Sequence, residues 1–385
     1  MLFRHEFDEV VVEDNKDQCL VAITWFIEAI KNHPSLTFLD MSHNKLDKIP
    51  EQKFKALADA IKASPALRFL KLTETVLPIQ QLKAEAAVNI SGQELGIMDS
   101  GIIATCLDGS TTLTSLDISR TSLTPGALKT LVPVLGSLSA LTSIDMSTNR
   151  LCGLSHHGNG VPDPRGLIGL VDSLISSKSL LRLNLSNNRL CSRAAHMFGN
   201  AIASSPSLTS VNLSKNPLGG YLEASGNEEY TSDADDDDDP FDPSSQMDWV
   251  SDPKGLMSLG ASCASSNTMT SIKLLKCNLP IAALKSQSVI DLSGRGLGAE
   301  DAFVIAECIK VNPSFLTVDI SSNPFCTDMT SMHHLAGAIA ANPKITTLKI
   351  HESCDLPIHD IKTESALDLS DQEISAEAAT IIAAW

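Results

Sequence analysis

The stretch Leu180-Leu181-Arg182-Leu183-Asn184-Leu185-Ser186-Asn187-Asn188-Arg189-Leu190 reads L-x-x-L-x-L-x-x-N-x-L, and near-copies recur along the chain. They stand at Leu36 to Leu46 (LTFLDMSHNKL), Leu113 to Leu123 (LTSLDISRTSL), Leu141 to Leu151 (LTSIDMSTNRL), Leu208 to Leu218 (LTSVNLSKNPL) and Phe315 to Phe325 (FLTVDISSNPF). A repeated unit of this size cannot bury its apolar face alone, so the copies must stack into a solenoid. That constraint outweighs length. A chain of 385 residues would ordinarily suggest more than one core, but stacked repeats share a continuous one.

With the fourth consensus position as strand marker, twelve strands are expected, centred on Leu39, Leu70, Val88, Leu116, Ile144, Leu183, Val211, Ile272, Ile290, Val318, Leu348 and Leu367. In each, the apolar pair points inward and the residues between point out, as a short parallel strand requires. The consensus asparagines Asn44, Asn149, Asn188, Asn216 and Asn323 are expected to turn inward and satisfy backbone groups of neighbouring coils. Thr75, Thr121 and Cys277 fill that position elsewhere, a weaker solution.

Helix-period segments lie between most strands, for example 54–61, 299–310 and 332–341, often closed by Asn-Pro or Ser-Pro. Steps of 28 residues, as from Val88 to Leu116 to Ile144, suit one strand plus one helix. From Cys19 onward the chain resembles the ribonuclease-inhibitor-like class of leucine-rich repeats, also found in NOD-like receptors and in GTPase activators of Ran. The resemblance implies an α/β horseshoe, with parallel strands on the concave face and helices on the convex one. The same scaffold carries many functions, so it implies a shape more than an activity.

A second, longer-range repeat is L-P-I-x-x-[LI]-K, present at 77–83, 279–285 and 356–362. The strand-to-strand step across each is 18 or 19 residues (Leu70 to Val88, Ile272 to Ile290, Leu348 to Leu367). What remains after the consensus is too short for a helix stable on its own, so a bare turn and flatter curvature are expected there. The simplest origin is duplication of a larger cassette.

The expected domain plan is an N-terminal cap at 1–18 and a repeat domain at 19–385 without a C-terminal cap. Two insertions break the period: a rim insertion at 152–165 and a disordered acidic insertion at 221–253. Both begin just after the N-x-L corner, hence on one rim, where loops on a rigid scaffold usually build specificity. The formal net charge is −17, and twelve acids without a Lys or Arg between Tyr221 and Pro253 account for all but −5 of it. Asp235, Asp236, Asp237, Asp238 and Asp239 form the core of that run, which reads either as a solvated insert or as an electrostatic lure for a basic protein. Thr231 and Ser232, each upstream of acids, suit acid-directed kinases.

The N-terminal MLFRHEFDEVVVEDN carries acids where a signal peptide needs an apolar run, and no eighteen apolar residues run together. The expectation is a protein of the cytoplasm or nucleus, with its nine cysteines reduced. Cys106 and Cys308 fall on helix core positions; Cys152 and Cys191 are equivalent positions of neighbouring repeats, within disulfide reach.

No nucleotide-binding loop, zinc-protease or nucleophile-elbow motif is present, nor a basic stripe for nucleic acid. His156 and His157 are adjacent and cannot chelate as an i, i+4 pair would. The sequence therefore predicts a non-enzymatic scaffold without metal or cofactor, binding a protein partner and neither nucleic acid nor membrane. The candidate contact residues are those pointing out of the concave face or projecting from the rim: Phe38, Asp40, Lys71, Asp117, Arg120, Asp145, Arg182, Asn184, Asn212, Lys273, Asp319, Lys349 and Asp235 to Asp239. Two other readings stay open. One is a regulator of a small GTPase, with Asn149, Arg150, Arg182 or Arg189 acting at the partner's nucleotide. The other, suggested by resemblance to acidic leucine-rich nuclear phosphoproteins, is binding of histones or other basic proteins.

Overall fold

A computed structural model describes residues 16–44, 46–153, 163–224, 247–324, 329–351, 354–364, 369–370, 374 and 376–383. Its strands are, in chain order, β1 (Phe38–Asp40), β2 (Phe69–Lys71), β3 (Val76–Leu77), β4 (Ala87–Asn89), β5 (Ser115–Asp117), β6 (Ser143–Asp145), β7 (Arg182–Asn184), β8 (Ser210–Asn212), β9 (Gly220–Ala224), β10 (Met247–Ser251), β11 (Ser271–Lys273), β12 (Asn278–Leu279), β13 (Val289–Asp291), β14 (Thr317–Asp319), β15 (Thr347–His351) and β16 (Cys354–Leu356). The helices are α1 (Lys16–Asn32), α2 (Glu51–Ala63), α3 (Ile79–Ala84), α4 (Ile97–Leu107), α5 (Pro125–Leu135), α6 (Arg165–Ser176), α7 (Ser192–Ser204), α8 (Lys254–Ser265), α9 (Ile281–Ser286), α10 (Ala299–Val311), α11 (Met329–Ala341), α12 (Ile358–Thr363) and α13 (Ala376–Ile382).

The expected strand centres from Leu39 to Leu348 each lie within a parallel-paired strand; the one at Leu367 lies outside the described residues. In the long sheet, Val88, Leu116, Ile144, Leu183, Val211 and Ile272 stand opposite one another in register and are buried. The helices stack on the other side, α4 on α5, α5 on α6, α6 on α7 and α7 on α8, so one apolar core runs between the two layers. This is the α/β repeat solenoid that the period implied.

The asparagines close the coils. Asn188, wholly buried, accepts the Asn149 N–H at 3.1 Å and donates from Nδ2 to the carbonyls of Met146 and Leu185, both at 3.0 Å. Asn216 Oδ1 accepts from Asn188 N at 2.7 Å and Leu190 N at 3.1 Å. Asn323 bridges Leu297 N and the carbonyls of Leu292 and Ile320 in the same way. A side chain that supplies both a donor and an acceptor is needed here because the corner backbone is buried without a strand partner.

The parallel ladder is interrupted at the L-P-I elements. Sheet order is β1-β2-β3, then β4 through β8 with β11 and β12, then β13-β14-β15-β16. At each interruption the chain turns back antiparallel on the preceding strand, pairing Leu70 with Leu77, Ile272 with Leu279 and Leu348 with Leu356. The bare turn expected there is corrected: each element continues into a six-residue helix, α3, α9 or α12.

Two kinds of contact hold these short helices. Ile79 and Leu82, Ile281 and Leu284, and Ile358 are buried. The motif lysine reaches the carbonyl end of the preceding long helix: Lys83 Nζ donates to Ser64 O at 2.7 Å, Lys285 Nζ to Ser266 O, and Lys362 Nζ to Asn342 O at 2.7 Å and Ile339 O at 2.9 Å. A cation there satisfies orphan carbonyls and opposes the negative end of the helix dipole. The helical layer crosses all three interruptions, with α2 against α4, α8 against α10 and α11 against α13.

The acidic insertion is rooted in structure. β9 and β10 form an antiparallel ribbon from Gly220↔Ser251 to Ala224↔Met247, which corrects the expectation of disorder over the whole of 221–253. Asp235 to Asp239 and the rim histidines His156 and His157 lie outside the described residues. The rim insertion closes at its base, Asp163 N donating to Cys152 O at 2.7 Å.

Candidate interaction surface

Two columns of side chains leave the strand face. The first runs Phe38, Phe69, Ala87, Ser115, Ser143, Arg182, Ser210, Ser271, Val289, Thr317 and Thr347. The second runs Asp40, Lys71, Asn89, Asp117, Asp145, Asn184, Asn212, Lys273, Asp291, Asp319 and Lys349. Every candidate picked from the strands therefore does lie on this face.

Much of the second column is already engaged with its own backbone. The side-chain oxygen of Asp40, Asp117, Asp145, Asn184, Asn212 and Asp319 accepts the N–H of the serine two residues on, at 2.8–3.1 Å. These are Asx turns, which bend the chain out of each strand. Where Ser42 and Ser321 add their hydroxyls to Asp40 and Asp319, the O–O distance is 2.6 Å. The Ser42 hydroxyl and amide hold the Asp40 carboxyl below the usual carboxylate range. Asn184 Nδ2 also donates to Asp145 Oδ2 at 2.8 Å, tying neighbouring coils.

Lysine replaces the acid where no such turn follows. Lys71, Lys273 and Lys349 precede the antiparallel returns, and two of them find acids instead: Lys71 Nζ lies 3.6 Å from Glu74 Oε2, and Lys349 Nζ 3.8 Å from Asp319 Oδ2. Asn149, considered for a partner's nucleotide, is buried with its amide spent on Thr121, Leu123, Ile118 and Met146, whereas Arg150 and Arg182 are exposed.

The apolar exposure on this face is concentrated at β1 and β2. Phe38 and Phe69 are register partners, 47% and 43% exposed. Phe69 was missed by sequence reasoning, although it holds the same outward position before Leu70 that Phe38 holds before Leu39. Val289, 61% exposed, is a further apolar residue in the column.

Elsewhere the titratable groups serve the core. The buried thiols of Cys106, Cys152 and Cys308 are pushed by burial to about 12, which makes them poor nucleophiles. Asp99 and Asp301 occupy the third position of α4 and α10, where each carboxylate accepts the N–H of the glycine before its helix, at 3.0 Å in both cases. Burial raises Asp301 to about 6 and, together with the Asp301 charge, Glu300 to about 7. Among the described residues no group of three His, Cys, Asp or Glu is arranged to hold a metal ion, and no helix is long and apolar enough to cross a membrane.

The Leucine Rich Repeat family model matches residues 35–57, which span β1, its asparagine corner and the start of α2. The chain folds as a leucine-rich repeat solenoid, and the family model matches one of its repeats. No curated protein matches it. Among solved structures, this leucine-rich repeat chain is similar to the leucine-rich repeat-containing protein LegL7 from Legionella pneumophila, at 17% identity over 93% of each chain with a TM-score of 0.30. It is similar to the tropomodulin C-terminal domain of Caenorhabditis elegans at 18% identity over 56% of this chain and 92% of that one, with a TM-score of 0.28. It is also similar to leiomodin-1 actin-binding site 2 at 13% identity over 35% and 75%, with a TM-score of 0.30. Whole-chain superposition is low in each case, so the family match and the repeat geometry carry the assignment.

Proposed function

We propose that this leucine-rich repeat protein is a non-enzymatic interaction scaffold of the cell interior, of the ribonuclease-inhibitor-like class, which seats a protein partner on its strand face. The observation that supports the reading is the side-by-side exposure of Phe38 and Phe69 on a rigid sheet. Solvent-facing aromatics cost solubility and little else holds them there, whereas partners bind most strongly through such anchors. The rim that carries the two insertions borders the same face and supplies the periphery.

The test is affinity capture from native lysate with the intact chain, with a Phe38→Ser/Phe69→Ser variant and with a variant lacking 226–246, each washed at low and at high salt. Partners lost with the phenylalanines and retained without the insert would support the strand face as the seat. Partners held equally by all three baits would overturn it. Partners lost with the insert even at low salt, and lost from the intact chain in high salt, would move the site to the acidic run and favour a basic partner.

A further inference from the structure

Charge is segregated within this scaffold in a way the net charge hides. Outside the insertion, residues 173–222 and 253–290 contain no Asp or Glu, yet carry Lys178, Arg182, Arg189, Arg193, Lys215, Lys254, Lys273, Lys276 and Lys285. Five consecutive coils, those of β5, β6, β7, β8 and β11, each place one basic residue at the corner that follows the strand: Arg120, Arg150, Arg189, Lys215 and Lys276. The strands of these coils pair in register without a gap. At a strand spacing of about 4.8 Å, the row is about 19 Å long.

None of these five side chains makes a hydrogen bond or ion pair among the described residues, and all are exposed or half-exposed. Arg120, Arg189 and Lys215 sit at φ of 57°, 58° and 60°, so the backbone itself holds them at the turn. The acids on the neighbouring strands, Asp117 and Asp145, are engaged in their Asx turns. Cations one coil apart repel one another, which costs stability unless an anion spans them.

We propose that this row is a docking site for an extended acidic segment of a partner protein, laid along the rim across the strands. It goes beyond the apolar seat at Phe38 and Phe69 and does not depend on it. Among the residues whose exposure is described, none beside the row is an exposed aromatic, the stacking platform that single-stranded nucleic acid needs, and the row suits the carboxylates of a polypeptide. Both insertions leave the same rim, the acidic one between Lys215 and Lys254.

The probe is a fluorescent deca-glutamate peptide, with deca-glutamine as its neutral counterpart, titrated by anisotropy with the full chain. The full chain is expected to bind deca-glutamate alone, with affinity falling at least about tenfold between about 50 and 300 mM salt. The variant Arg189→Glu/Lys215→Glu/Lys276→Glu is expected to lose at least about tenfold, while Lys178→Glu, on the opposite rim, changes it less than about twofold. Equal loss in K178E and the triple variant would overturn the proposal, as would tighter binding of an oligothymidylate of equal charge. Binding that emerges only after residues 226–246 are removed would also overturn it, since the chain's own insert would then be the occupant. Because Phe38 and Phe69 lie outside the row, F38S/F69S should leave peptide binding intact, which separates failure here from failure of the apolar seat.

Discussion

Lys83 Nζ sits 2.7 Å from the carbonyl oxygen of Ser64, and this contact explains why L-P-I-x-x-[LI]-K recurs at three places. Each copy ends a six-residue helix by pinning it to the end of the helix before it, so the lysine satisfies a carbonyl of the longer helix and anchors a helix too short to be stable alone. Replacing Lys285, which reaches Ser266 O, with Met should keep the aliphatic stem but lose a charge-assisted bond, destabilising the chain by about 1.5–3 kcal/mol. Urea denaturation checks this, with Lys178→Met as the exposed control. A shift no larger than the control's would mean that the motif is only a trace of duplication.

That element also shows where sequence reasoning stopped. Strand centres and the asparagine corners were readable because burial and register impose their period on residue type directly, as with Leu183 and Asn188. The short helices were not, because their support is tertiary: a propensity argument for seven residues in isolation does not contain Ser64 or Ser266. The outward columns were placed correctly from strand alternation alone. That Asp117 and Asp145 serve Asx turns could have been read from the D-x-S spacing, which marks a local bond. Phe69 was hidden by its own coil, whose consensus is interrupted by the L-P-I return.

Asn188 should be among the costliest polar residues to remove. It is wholly buried and bonds to four groups of two coils, so Asn188→Ala strands the Asn149 N–H in the core and leaves the carbonyls of Met146 and Leu185 with one donor each, from Asn149 and Asn216. The expected loss is about 2–4 kcal/mol. Asn44, partly exposed and among the described residues bonded only within its own coil, to Met41 O and Ser42 O, should cost about 1 kcal/mol or less when replaced. The ratio of the two, read from denaturation midpoints at constant m-value, tests whether the ladder or the local turn is what the asparagine serves.

The start of α10 makes stability depend on pH. Glu300, lifted to about 7 by burial and by the neighbouring Asp301 charge, and Asp301, lifted to about 6 by burial, start from ordinary values of 4.5 and 3.8. One oxygen of each, Glu300 Oε2 and Asp301 Oδ1, is buried without a hydrogen-bond partner among the described residues. Between about pH 4 and 7 the folded chain holds protons that the unfolded chain has released, so their contribution is full at low pH and is lost as pH rises through 6 and 7. Each group contributes a slope of up to about 1.4 kcal/mol per pH unit in its window. Glu300→Gln/Asp301→Asn should therefore gain on the parent between pH 5 and 8 in parallel urea titrations. A constant difference across that range would show that neither carboxyl titrates in the folded state.

Two glycines separate close packing from mere permissiveness. A Cβ added to Gly255, at the start of α8, would lie 2.1 Å from the carbonyl oxygen of Ser192, the first residue of α7, and backbone cannot swing aside as a side chain can. Gly166 meets Pro125 O in the same way at 2.7 Å, so the helical layer relies on bare backbone where successive helices begin. Gly337, by contrast, lies on an exposed part of α11 with nothing within 4 Å of an added Cβ. Gly255→Ala should push α8 from α7 and destabilise by about 3 kcal/mol or more, whereas Gly337→Ala should stabilise by about 0.5–1 kcal/mol, because alanine loses less backbone freedom on entering a helix. Thermal unfolding of the two variants should give shifts of opposite sign. A loss at Gly337 would mean that this face of α11 carries a contact of its own, and a neutral Gly255→Ala would mean that α7 and α8 stand further apart than their hydrogen-bonded strands β8 and β11 require.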